Sequence, residues 1–153
     1  MVHIEIPQRG IIELQHAVFD VNGTLAVDGV LLPEVAHRLR LLANELSIHI
    51  LTAGTHGNLA ELAHTLGYPL QIIRNGQDKA DYVEQLGPAT VIAFGNGAND
   101  TEMLRLAAVG VAVMTAEGVA TSALQAADVL APDPLAAIDL ILKPKRLVAT
   151  LRG

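Results

Sequence analysis

"HAVFDVNGTLAVDG", residues 16–29, sets an apolar run ending in Asp20 ahead of two turn pairs, Asn22-Gly23 and Asp28-Gly29. Two readings of the first pair compete. Asn-Gly between apolar runs is the strongest short-range hairpin signal. The same residues also fit a strand that delivers Asp20 to a loop from which an expected second aspartate is missing. The chain beyond them decides. "PEVAHRLRLLANEL" has helical periodicity and "SIHILT" is an apolar strand; "GNLAELAHTLG", "PLQII", "DKADYVEQLG", "TVIAFG" and "NDTEMLRLAA" keep alternating in the same way. "VGVAVM", "EGVATSALQAA", "DVLA" and "DPLAAIDLILK" continue the series. Strand and helix in turn predict an α/β sandwich, Rossmann-like and three-layered, with a mainly parallel sheet. Asp20 then ends a sheet strand, and Asp28-Gly29 becomes the better hairpin turn, a small flap beside the crevice. Pro33 is expected in the first turn of a helix, and Gly67 and Gly87 just past helix ends.

The remaining bulk properties narrow the class. At 153 residues the chain has the size of one domain, residues 1–153, and 51% hydrophobic residues with only 3% aromatic ones predict an aliphatic core. A formal charge of −6 argues against nucleic acid or anionic lipid as partner. With no cysteine, disulfides, thiolate metal sites and thiol nucleophiles are excluded, which is compatible with a cytoplasmic protein. The start "MVHIEIPQRG" does not read as a signal peptide, and "LAAVGVAVM" is far short of the roughly 20 apolar residues that span a membrane. "HIEI" and "IIEL" around "PQRG" predict an N-terminal β-hairpin, an edge or a contact in a homo-oligomer. The tail "PKRLVATLRG" is the only basic cluster, read as cations near a helix C-terminus.

In an open parallel sheet, ligands bind beyond the carboxyl ends of the strands. Asp20 ends "AVFD", Thr52 ends "SIHILT", and "GNGAND", residues 95–100, ends "TVIAF". Lys79 joins them from the start of a helix, and it is the only lysine before Lys143 and Lys145. Each residue alone has a plainer explanation, as turn residue, N-cap or surface charge. Their order and spacing together favour a site. "GNGAND" lacks the third glycine of a dinucleotide fingerprint and lies on a late strand. His56 in "TAGTHG" is expected near the crevice mouth, as substrate contact or helix cap, and the other histidines show no metal-ligand spacing.

Together these residues resemble the haloacid dehalogenase superfamily of phosphoryl-transfer enzymes. Its motifs are Asp-x-Asp-Gly-Thr, a strand-terminal Thr or Ser, a Lys, and Gly-Asp-Gly-x-x-Asp. All four occur here in order, with Asn22 and Asn96 where aspartates are usual. The stretch from "GNGAND" to "AAIDLI" looks most like the end of a P-type ATPase phosphorylation domain and its small soluble relatives. The resemblance implies a Mg2+-dependent phosphohydrolase in which Asp20 is the nucleophile and forms an aspartyl-phosphate. It implies a metal site of Asp20, the backbone carbonyl of Asn22, Asn96 and Asp100, and phosphate contacts from Gly23, Thr24, Thr52, Ala53, Gly54, Lys79 and Asn99. Thr52 would donate a hydroxyl and Lys79 a compact positive charge.

The two departures have chemical consequences. Asn22 can neither protonate a leaving group nor activate water, help that is typically worth about 10² to 10⁴ in rate. Asn96 can ligate Mg2+ through its amide oxygen but brings no negative charge. The alternative is a catalytically attenuated phosphate- or metal-binding regulatory protein. Residues 25–51 and 53–78 leave no room for a nucleotide-binding insert or a large cap, which excludes an ATP-driven pump. A capless crevice suits a phosphorylated small molecule or a phosphoprotein as substrate, or an oligomer whose neighbour covers the site. Deamidation of Asn22 or Asn96, each followed by glycine, would restore a carboxylate.

Overall fold

The computed structural model describes residues 1–54 and 59–153. His56, expected near the crevice mouth, lies outside the described residues. The chain opens with antiparallel strands β1 (Val2–Ile6) and β2 (Gly10–Leu14), the expected hairpin. Ile4, Ile6 and Leu14 are buried, so one face of the hairpin is built into the core. A two-stranded ribbon alone is marginal in water, and this burial is what holds it.

The main sheet has six parallel strands: β3 (His16–Asp20), β6 (Ser47–Thr52), β7 (Leu70–Ile72), β8 (Val91–Gly95), β9 (Val109–Val113) and β10 (Val129–Ala131), in spatial order β10-β9-β8-β3-β6-β7. The strand carrying Asp20 therefore lies centrally, flanked by the strands that end in Thr52 and in Gly95. Asp20 sits opposite Leu51 in the register, so the ends of β3 and β6 are level.

Side chains alternate between the two faces of a strand. Ala17 and Phe19 of β3 join one core with Ile50, Ile92, Phe94 and Val111, whereas Val18 joins a second with Leu51, Val91 and Ala93. Phe19 and Phe94 stack with ring centroids 4.4 Å apart and planes 4° from parallel, tying β3 to β8. The first core is closed by α1 (Val35–Leu42), α2 (Leu59–Leu66), α6 (Pro134–Leu142) and α7 (Pro144–Leu151) through Val35, Leu39, Leu66, Ile138 and Leu147. The second is closed by α3 (Gly76–Leu86), α4 (Thr101–Leu106) and α5 (Thr121–Ala126) through Val83, Met103, Leu104 and Ala123. Alternation puts Asp20 on the Val18 side, toward α3. Helices on both faces of a parallel sheet make the three-layer α/β sandwich expected from the alternation.

Asn22-Gly23 turns a tight loop and Asp28-Gly29 makes the hairpin. In that hairpin β4 (Ala26–Val27) pairs antiparallel with β5 (Val30–Leu31), with Asp28 and Gly29 both at positive φ, 52° and 77°. That is the backbone a two-residue type I′ turn needs. Gly67 (φ 80°) and Gly87 (φ 94°) end α2 and α3 as expected.

Pro33 differs from expectation: α1 starts only at Val35, and Pro33-Glu34 form a turn closed by the Val35 N–H donating to the Leu32 carbonyl at 3.4 Å. Glu34 has φ 66°, ψ −4°, the third-position geometry of a type II turn, in which proline favours the second position. Proline's fixed φ serves either role, which is why sequence pattern misplaced it. The tail cations depart from expectation in part: Lys145 and Arg146 lie in the first turn of α7, and only Arg152, the residue after Leu151, sits at a helix C-terminus. Arg146, with Lys143 before it, approaches Asp139, which also takes a hydrogen bond from Arg38.

A half-buried chain of polar groups crosses from the sheet to α3. His16 and His49 are hydrogen-bonded ring to ring at 3.1 Å, and the other nitrogen of His49 meets the Tyr82 hydroxyl at 2.9 Å.

Candidate active site

Asp20 and Lys79 meet because β3 ends beneath the first turn of α3. Asn75 caps that helix, its side chain accepting the Asp78 N–H at 3.0 Å. This fixes the turn from which Lys79 reaches inward. Gly76 lets the helix start close to the turn Ala98–Asp100, since a Cβ on it would lie 2.8 Å from the Asn99 carbonyl oxygen.

The Lys79 ammonium donates to Asp20 Oδ1 and to Asp100 Oδ1, each at 2.7 Å, and Lys79 and Asp100 are fully buried. The second Asp100 oxygen accepts the N–H groups of Asn96 and Gly97, both at 2.9 Å. A Cβ on Gly95 would strike the Asp100 side chain at 2.6 Å, so the glycine makes room for this carboxylate. Two carboxylates share one ammonium. Burial, then the neighbouring Asp100 charge, push Asp20 up from 3.8 to about 7, against the opposing pull of Lys79 and the Thr24 hydroxyl. Burial disfavours the Lys79 ammonium, but Asp20 and Asp100 outweigh it and hold the group above its ordinary value.

Residues 21–26 curl around one carbonyl: the N–H groups of Thr24, Leu25 and Ala26 all converge on Val21 O at 2.9–3.1 Å. Gly23, at φ 80°, makes the curl possible. Asn22 lies in this loop, half-buried. The buried Thr24 hydroxyl is 3.1 Å from Asp20 Oδ2 and 3.2 Å from Asn96 Oδ1. Its single proton serves one acceptor at a time.

Thr52 is buried at the end of β6, and its hydroxyl oxygen accepts the Gly54 N–H at 3.2 Å. Ala53 is half-buried and Gly54 exposed at φ 72°. Asn99 is exposed, with its backbone against Gly76. Hydrogen bonds thus join Asp20, Thr24, Lys79, Asn96 and Asp100 into one network. Thr52, Ala53 and Gly54 border it on the neighbouring strand end, and Asn99 supports it from outside.

A segment with no recognisable motif also belongs to the site. Thr115 donates its hydroxyl to Gly23 O at 2.9 Å, and Glu117 accepts the Asp28 N–H at 3.2 Å. The only sequence cue was the position of Thr115 just beyond a strand that ends level with the others.

The donor set suits a hard cation. Asp20 Oδ2 and Asn96 Oδ1 flank one hydroxyl, and the Asn96 amide nitrogen is turned away to donate to Gly118 O at 3.1 Å, leaving the amide oxygen on the carboxylate side. Oxygen ligands of this kind fit Mg2+ rather than a thiophilic metal. Asp100, with both oxygens engaged, fits a supporting place better than a direct one.

A model of haloacid dehalogenase-like hydrolases matches residues 34–132, a span that includes Thr52, Lys79, Asn96 and Asp100. An uncharacterized protein of Methanocaldococcus jannaschii is 39% identical over 62 residues, 40% of this chain and 67% of that protein. Among solved structures, the cobalt-bound deoxy-D-mannose-octulosonate 8-phosphate phosphatase of Haemophilus influenzae is similar with a TM-score of 0.70 at 14% identity, over 92% of this chain and 94% of that one. The 3-deoxy-D-manno-octulosonate 8-phosphate phosphatase of Moraxella catarrhalis, solved with magnesium, phosphate and KDO, gives 0.70 at 16% identity over 91% and 94%. At these identities the structures speak for the fold, and the family match speaks for descent. The chain belongs to the haloacid dehalogenase-like hydrolases.

Proposed function

We propose that the protein is a phosphohydrolase acting through Asp20 with Mg2+, on a phosphorylated small molecule or a phosphoprotein. The observation that carries this reading is the buried Asp20–Lys79–Asp100 triangle with its two 2.7 Å contacts. An unneeded buried charge cluster is costly, and this one stands at the strand edge where α/β folds bind ligands. The phosphatase neighbours support the reaction class.

In this reading Lys79 neutralises phosphoryl charge while holding Asp20, and the Thr52 hydroxyl hydrogen-bonds a phosphoryl oxygen. An Asp20 oxygen forms a bond to phosphorus as the leaving-group oxygen departs with the bonding electrons, and water then cleaves the aspartyl-phosphate. Mg2+, when bound by Asp20, the Asn22 carbonyl and Asn96 with Asp100 in support, supplies charge neutralisation between carboxylate and phosphate. Asn22 delivers no proton, so leaving groups of low pKa, such as acyl phosphates, are the better substrates. An aspartate at this position would supply the missing proton. Asn22→Asp should therefore raise turnover of alkyl phosphates by roughly 10²-fold or more and affect acetyl phosphate less.

A second reading is a phosphate-binding regulatory protein that has lost turnover. It is favoured by the same two asparagines and by the 6% exposure of Asp20. Assays of acetyl phosphate and p-nitrophenyl phosphate, with and without Mg2+ and beside Asp20→Asn, separate the two. Mg2+-dependent release of phosphate that vanishes in the variant is expected. Equal release in both proteins removes the phosphohydrolase reading, and phosphate binding without turnover supports the second.

A further inference from the structure

Asn96 is the crossing point of three segments. Its amide nitrogen donates to Gly118 O at 3.1 Å, and its backbone carbonyl accepts the Ala120 N–H at 2.8 Å. Its amide oxygen meets the Thr24 hydroxyl. Gly23 lies against it so closely that a Cβ there would stand 2.2 Å from the amide nitrogen. The segment Thr115–Ala120 that Asn96 grips holds Gly23 O through Thr115 and the hairpin's Asp28 N–H through Glu117.

We propose that Asn96 is a positioning residue whose amide nitrogen latches the segment Thr115–Ala120, and through Glu117 the Ala26–Leu31 hairpin, onto the loop that carries Asp20. An aspartate here would keep the acceptor toward Thr24 but lose the donor toward Gly118. It would set a carboxylate oxygen against a carbonyl and add a third acid to a cluster served by one ammonium. The amide thus gives up cation charge and keeps the loops assembled before any cation or phosphate arrives. The catalytic part of this inference rests on the phosphohydrolase reading; the latch itself does not.

Amide hydrogen exchange on the full chain in EDTA tests the latch. Asn96→Asp should speed exchange in residues 115–120 and at Asp28 by about tenfold, the effect of leaving one carbonyl without its donor. Exchange in Val91–Gly95 should stay unchanged, which shows the fold intact. If Asn96→Asp does not fold, Asn96→Ser, which cannot reach Gly118 and adds no charge, carries the same expectation. Wild-type exchange of residues 115–120 in a folded variant overturns the proposal. In p-nitrophenyl phosphate turnover, Asn96→Asp should lower both kcat and the half-saturating Mg2+ concentration. A higher kcat with tighter Mg2+ would mean that the residue is only a weakened ligand and also overturns it. Exchange needs no substrate, so an inactive wild type would defeat the phosphohydrolase reading while leaving the latch to be decided by exchange.

Discussion

Asp20 carries a cost to stability that can be read in pH. Burial and the neighbouring Asp100 charge push its carboxyl up from an ordinary 3.8 to about 7 in the fold. Between those values the folded state holds a proton that the unfolded state has released, so Asp20 lowers stability as pH rises from about 4 to 7, with the full loss present above 7. Asp20→Asn removes this slope while keeping an acceptor for Lys79. Chemical denaturation in EDTA should show the variant gaining on the wild type from pH 5 to pH 8, whereas a constant difference would contradict the assignment. Lys79 is the opposite case. Lys79→Met leaves two buried carboxylates without a counter-charge, which should cost about 3–5 kcal/mol at pH 8 by the same measurement. Both residues were visible in the sequence, because a strand-terminal Asp and a lone Lys at a helix start are separable from solvated charges once their order is noted. The 2.7 Å sharing of one ammonium between Asp20 and Asp100 was not, since no pattern in one dimension encodes a three-way distance.

Among elements, the parallel strands were legible because burial on both faces writes them as continuous apolar runs, as in "AVF" and "VIAF". The hairpin at Asp28-Gly29 was legible from turn chemistry alone. Boundaries set by tertiary contact were harder to see. The start of α1 depends on the left-handed Glu34, and the division of α6 from α7 on Lys143 at φ −128°, ψ 69° just before Pro144. The segment Thr115–Ala120 was unreadable as part of the site, because its work is done by backbone groups and a single hydroxyl. The loop of Asp20 is tightly constrained, with three N–H groups on Val21 O and Gly23 against Asn96. Gly23→Ala must place a side chain at φ 80° and against Asn96, and it should lower stability by roughly 1–3 kcal/mol with loss of phosphate binding, measured by denaturation and calorimetry.

Across the whole molecule, ligand binding and folding are linked. With Asn96 contributing no charge, Mg2+ should bind weakly alone, and a bound phosphate should supply part of what is missing. Mg2+ and orthophosphate together should therefore raise Tm by more than the sum of their separate effects. Saturation to about 100 Kd corresponds to about 2.7 kcal/mol. Strictly additive shifts would show that the two sites do not communicate. No helix among the described residues is long and apolar enough to cross a membrane.

The contact between Tyr82 and His49 has a practical consequence. The chain has no tryptophan and two tyrosines, so its ultraviolet emission beyond the weak phenylalanine band comes from Tyr68 and Tyr82. Tyr82 lies one helical turn beyond Lys79 on α3, with its hydroxyl 2.9 Å from an imidazole that can quench it by accepting the phenolic proton. Tyrosine emission therefore reports on the packing of α3 against the sheet at His49, readable without a label.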